Sequence, residues 1–285
     1  MKESAVLFGR DQSLVGVVTD GSTPGRTGLV LLNAGFTHHV GPQRIHVQLA
    51  RRLAESGITS LRFDYSGIGD SPRRAGASSF AERAIAEACE AMDFLESTRG
   101  IVRFLLFGIC WGADNAMRVA AADDRVVGVA AVDFYAVISS RYFLRFYLRR
   151  LLSPRSWTNI LRGKSAVFGR AKQLASAVAR SKGRGDTPEA AEDLLPVRSP
   201  AQVLGELDQM VQRGTGFLFA YATVGGSYDQ YVLNFRQRMR ELAKTGRVSV
   251  RVFAESDHVF TPLHSQSSLC QCVEEWVDGT VTAQS

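Results

Sequence analysis

Cysteine is scarce: the 285 residues hold four, Cys89, Cys110, Cys270 and Cys272. That is too few, and too unevenly spaced, for a disulfide framework, a zinc pattern or a C-x-x-C redox pair. Each is expected to be a free thiol that either packs or reacts. Proline is sparse (8) and glycine ordinary (26), which excludes a collagen-like or proline-rich disordered chain. No apolar run approaches the roughly 20 residues that cross a bilayer, and no charged-then-apolar leader opens the sequence, so a soluble cytoplasmic protein is expected. Internal repeats and low-complexity tracts are lacking as well. Acidic residues vanish from one long stretch, residues 134–185, which hold twelve Lys or Arg and no Asp or Glu. The formal charge of +6 belongs to that segment, because the remainder carries 22 basic against 28 acidic residues and is net negative. An argument from overall basicity is therefore excluded. With no recognisable reading module in the basic run, nucleic acid is not an expected partner.

What remains is ordinary globular material, 45% hydrophobic and 22% charged, long enough for one large domain. Short apolar or β-rich runs recur at 5–8, 14–19, 28–32, 58–63, 102–107, 126–132, 216–221 and 248–253. Helix-period stretches at 42–56, 79–97, 110–122, 231–244 and 265–277 lie between the later ones. The alternation predicts βαβ units and a mostly parallel eight-stranded sheet flanked by helices. The first two strands, with no helix between them, are expected to pair as an edge hairpin. The pattern breaks once, so residues 1–133 and 203–285 read as an α/β core and 134–202 as a basic helical cap or lid insertion. Within it Arg141, Arg145 and Arg149, with Arg150 beside the last, stripe one helix face and leave an aromatic and leucine-rich surface on the rest. Such a helix suits a lid over an apolar pocket, or a peripheral helix lying in a membrane surface. Its position between core strands favours the lid.

Directly after the fifth strand comes Gly108-Ile109-Cys110-Trp111-Gly112, followed by a helix-forming run. Two glycines permit a sharp strand-to-helix turn that holds the central side chain above the sheet. The helix N-terminus there favours a thiolate. Cys110 is the expected nucleophile. Such a nucleophile needs a base and an acid to orient it. Glu255-Ser256-Asp257-His258 after the last strand offers His258 as base. The loop after the seventh strand offers Asp229 as acid, with Glu255 and Asp257 as alternatives close in sequence. Asp257 is better suited to stabilising its own loop. The oxyanion donors expected are the amides of Trp111, next to the nucleophile, and Phe36, in the loop after the third strand. His38 and His39 in that loop are not expected to hold a metal, since adjacent side chains diverge and no carboxylate or cysteine stands at ligand spacing.

Asn33-Ala34-Gly35, the run from Asp64 to Ser71, the Gly108–Gly112 turn and Ser256-Asp257-His258-Val259-Phe260 together resemble the α/β-hydrolase superfamily over nearly the whole chain. The cysteine in the turn, with Leu152-Ser153-Pro154 and Trp157, is similar to the exosortase-system-associated hydrolases and their serine-aminopeptidase-like relatives. The resemblance implies acyl hydrolysis or transfer through a covalent acyl-enzyme, with neither a metal nor an organic cofactor. Serine is usual where Cys110 stands. A thiolate attacks thioesters and activated esters readily and forms an acyl-S-Cys that can pass its acyl group on, whereas amides are poorer targets. The expected activity is thus that of a Cys-His-Asp acyltransferase or thioesterase. The basic segment suits an acidic acyl carrier protein as donor. Two other readings are a membrane-surface ester hydrolase acting on lipid- or polysaccharide-linked substrates, and a catalytically silent binding module on the same fold.

Overall fold

The computed structural model describes residues 1–75, 79–134, 198–224 and 227–283. Nearly all of the expected cap, including Arg141, Arg145, Arg149 and Arg150, lies outside the described residues. The strands are β1 (Lys2–Phe8), β2 (Leu14–Asp20), β3 (Thr27–Leu32), β4 (Thr59–Phe63), β5 (Arg103–Ile109), β6 (Val126–Val132), β7 (Gly216–Val224) and β8 (Val248–Asp257). They form one sheet in the order β1-β2-β4-β3-β5-β6-β7-β8. β1 and β2 make the antiparallel edge hairpin, β2 runs antiparallel to β4, and every other pairing is parallel.

All six residues of β3 are buried, as expected of a parallel strand covered on both faces. Its side chains alternate between two cores. Leu29 and Leu31 join Leu49 and Leu53 of α1 (Ile45–Glu55) and Leu269 and Val273 of α6 (Leu263–Thr282). Val30 and Leu32 face the other layer, built on α2 (Phe80–Arg99), α3 (Trp111–Ala122), α4 (Pro200–Gln212) and α5 (Arg236–Ala243). Among the described residues no helix is long and apolar enough to cross a membrane.

Local chemistry explains where the elements depart from expectation. α4 begins inside the stretch read as cap. Ser199 accepts from the Gln202 amide, the Gln202 side chain answers the Ser199 amide, and Pro200 opens the first turn, a cap that stands on local sequence alone. The helix expected over 231–244 is interrupted: a four-residue turn (Ser227–Gln230) runs into a π-helical turn (Tyr231–Phe235) before α5. β8 continues to Asp257, four residues beyond the expected end. The carboxyl ends of the parallel strands therefore bring Asn33, Asp64, Cys110, Asp133 and His258 to one edge of the sheet.

One buried group makes the fold acid-sensitive. The His46 side chain on α1 is fully buried, its Nδ1 donates to the His39 carbonyl at 3.2 Å, and its ring meets Phe107 edge-on at 5.7 Å. Burial pushes its pKa down to about 4, against an unfolded value of about 6.5. The unfolded chain thus takes up a proton that the folded one refuses. The resulting stability is complete above about pH 6.5 and is lost as pH falls towards 4, a loss of about 3 kcal/mol. In urea titrations at about pH 7.5 and pH 4, His46→Leu is expected to show a stability difference smaller than wild type by roughly 2–3 kcal/mol. Equal differences in the two proteins would remove His46 as the cause.

Candidate active site

The turn from β5 into α3 holds Cys110 at φ 57° and ψ −116°, a conformation that costs a non-glycine residue free energy and must be imposed by its surroundings. The surroundings are close. A Cβ on Gly108 would stand well under 3.0 Å from the Gly112 carbonyl, and one on Gly112 would stand 2.7 Å from the Leu32 carbonyl oxygen. Both glycines are needed for strand, helix and the β3 loop to meet. The Cys110 amide donates to the Val132 carbonyl at 2.9 Å, and its own carbonyl accepts from Ala113 and Asp114 at 3.0 and 3.2 Å. The side chain is left half-buried at the head of α3.

His258, the first residue after β8, lines the same pocket as Cys110, and the Cys110 side chain is close enough to help raise its pKa. His258 Nδ1 donates to Asp133 Oδ2 at 2.8 Å. Asp133 follows β6, at φ 47° and 1% exposed. Its Oδ1 accepts from the Ala222 amide at 2.8 Å, and its own amide donates to the Ala220 carbonyl at 2.7 Å. One carboxylate oxygen is thus fixed by β7 and the other is aimed at the imidazole. The Asp133 carboxylate, then the Cys110 contact, raise the His258 pKa to about 10 against the opposing cost of burial. The imidazolium is the form this setting favours.

Asp133 replaces the residue expected in this position. Asp229 lies in the four-residue helical turn after β7, and the carboxylate that meets His258 comes from the strand before. In the chain Asp133 still falls between Cys110 and His258. The signal for Asp133 was present in the sequence, a carboxylate ending the buried run 126–132 beside the strand that leads into Cys110. Asp257 does serve its own loop, accepting from the Thr261 amide at 2.8 Å. Burial pushes the thiols of Cys89 and Cys270 up to about 11 and raises that of Cys272 as well.

The Phe36 and Trp111 rings meet edge-to-face with centroids 5.4 Å apart. With Ile109 and Val259 they line an open pocket of about 350 Å³ that contains Cys110 and His258. The Thr37 amide is spent on the Ala34 carbonyl at 3.2 Å. No acceptor among the described residues takes the Phe36 or Trp111 amide. The pocket walls are almost wholly apolar, which suits a hydrocarbon group beside the reacting carbonyl.

The Phe36 loop is anchored by the buried carboxylate of Asp64, which follows β4. Its Oδ1 accepts from the Asn33 side chain at 2.8 Å and the His39 amide at 2.6 Å. Its Oδ2 accepts from His39 Nδ1 at 2.8 Å and the Asp70 amide at 3.0 Å. The side chains of His38 and His39 do not diverge: their rings lie 3.8 Å apart, and Asp64 and Asp70 close on them from the next loop. The expected separation assumed a simple loop, whereas Asp64 draws both histidines inward.

The family model for the alpha/beta hydrolase fold matches residues 28–278. No curated protein sequence matches the chain. Among solved structures, a proline iminopeptidase from Mycobacterium smegmatis is similar over 100% of both chains, with a TM-score of 0.60 and 16% identity. Est1E from Butyrivibrio proteoclasticus is similar over 98% of this chain and 99% of its own, with a TM-score of 0.55 and 13% identity. A serine hydrolase without a lid from Xanthomonas campestris is similar over 97% and 94%, with a TM-score of 0.54 and 15% identity. At such identities the likeness to these structures is one of fold. The chain belongs to the alpha/beta hydrolase fold family.

Proposed function

We propose that the protein is a cysteine-dependent acyltransferase or thioesterase working through an acyl-S-Cys110 intermediate. The observation that carries this reading is the relay Cys110 to His258 to Asp133, with the last link at 2.8 Å. His258 Nε2 already holds the proton given up by the Cys110 thiol, so the thiolate Sγ attacks the carbonyl carbon and the carbonyl electron pair moves onto oxygen. The Phe36 and Trp111 amides hold that oxyanion. When the pair returns, the bond to the leaving thiol or alkoxide breaks and His258 gives it the proton. In the second half His258 removes a proton from water or another acceptor, which attacks the thioester and frees Cys110. Asp133 holds the imidazole with Nδ1 protonated, so that Nε2 faces the sulfur, and offsets the charge of the imidazolium. Sulfur in place of serine oxygen favours thioesters and activated esters. The charge of residues 134–185 supports an acidic acyl carrier protein as donor.

Intact-protein mass spectrometry after exposure to acyl thioesters, free and carrier-bound, tests this. Wild type is expected to gain one acyl mass, and Cys110→Ala none. His258→Ala should acylate at least about 100-fold more slowly. Acylation of Cys110→Ala to the wild-type extent would place the nucleophile elsewhere.

A further inference from the structure

We propose that His38, His39, Asp64 and Asp70 form a binding site for a divalent transition-metal ion of the zinc class. The inference is independent of the acyl chemistry. Two loops build the cluster: both histidines precede α1, and both carboxylates follow β4. His39 Nδ1 lies 2.8 Å from Asp64 Oδ2, and His38 Nε2 lies 2.9 Å from Asp70 Oδ2 and 3.5 Å from Asp64 Oδ2. One ligand atom from each residue falls within 4.8 Å of all the others. With metal–ligand bonds of about 2.0–2.2 Å, adjacent ligand atoms stand roughly 3–3.5 Å apart and opposite ones about 4.2 Å. The widest separations must close by up to roughly 0.6 Å between opposite ligands or 1.3 Å between adjacent ones to seat an ion.

The movable members are the right ones. The His38 and Asp70 side chains are 37% and 61% exposed, against 7% and 0% for His39 and Asp64. An ion can therefore enter from solvent onto a fixed inner pair. Asp64 keeps its aim without the metal, because Asn33 and the His39 and Asp70 amides hold it. Such support orients a ligand before the ion arrives. On binding, the ion takes the place of the proton shared by His39 Nδ1 and Asp64, and of the one shared by His38 Nε2 and Asp70. Each neutral imidazole carries its proton on the other nitrogen instead. For His38 that nitrogen is Nδ1, which then no longer accepts from the Val40 amide 3.4 Å away. Two carboxylates and two neutral imidazoles balance a dication, and the mixed nitrogen and oxygen donors suit zinc, cobalt or nickel better than calcium or magnesium. The bound ion would tie the loop carrying Phe36 to the loop after β4.

Titrating the purified full-length chain with Co²⁺ tests the proposal, followed by visible absorption and by the metal retained after gel filtration. One equivalent is expected to bind with the d–d bands of nitrogen and oxygen ligation and no thiolate charge-transfer band. Binding should survive in Cys110→Ala and weaken at least about tenfold in His38→Gln and in Asp70→Asn, whose exposed positions leave folding intact by circular dichroism. A thiolate band abolished by Cys110→Ala would move the ion to the nucleophile and overturn the proposal. So would affinity unchanged in both cluster variants, or no retained cobalt. Binding in a protein that fails to acylate would refute the acyl chemistry alone.

Discussion

Asp133→Asn is expected to lower the rate of Cys110 acylation by about 10³–10⁴-fold, while Asp229→Asn changes it by less than about threefold. The first substitution keeps the shape of the side chain but removes the charge behind the imidazolium, and lets His258 adopt the wrong tautomer. Both effects act on His258, leaving the sulfur and the Phe36 and Trp111 amides in place. The pH profile separates this from general damage. In wild type the imidazolium persists until pH rises through about 10, and the Asp133 hydrogen bond is the largest cause. Without the carboxylate the His258 pKa falls towards its ordinary value of about 6.5. The alkaline limb of acylation should therefore move down by several pH units in Asp133→Asn and stay near 10 in Asp229→Asn. Single-turnover acylation against pH measures both. A limb that stays in place in Asp133→Asn, or a larger loss in Asp229→Asn, would return the role to the loop after β7.

The difference between these two aspartates shows what could be read from the sequence. The fold was legible because strand and helix periods alternate cleanly from β3 to α6, and the bend that carries Cys110 because Gly108 and Gly112 mark a turn that few other contexts require. His258 was legible from its place just past the last strand. The acid was not. Chain order allows a carboxylate after β6 as readily as one after β7, and only the register of β6 with β7 shows Asp133 locked between Ala220 and Ala222. The cluster around Asp64 was hidden for a related reason. His39 and Asp64 are 25 residues apart, and their meeting depends on β3 and β4 lying side by side in parallel, a long-range fact that local spacing does not carry. Adjacent histidines taken alone gave the opposite expectation.

Backbone contact at the turn sets the largest effect on stability. A methyl group at Gly108 would overlap the carbonyl of Gly112 and the amide nitrogen of Ala113. None of these atoms belongs to a side chain that can swing away. Relief requires the first turn of α3 to lift from β5, which would pull Gly112 off the Leu32 and Asn33 carbonyls, 2.7 and 2.8 Å from its own Cβ position. Gly108→Ala is therefore expected to cost at least about 3–4 kcal/mol in urea unfolding. Acylation should fall in whatever fraction still folds, because the Trp111 amide and the Cys110 side chain shift together. Gly205→Ala is the internal control. It lies within α4 with nothing within 4 Å of an added Cβ, so alanine should stabilise by up to about 1 kcal/mol through helix propensity. The two substitutions are chemically identical and opposite in sign. If both shifted stability by the same amount, the tight approach at the turn would not be what constrains Gly108.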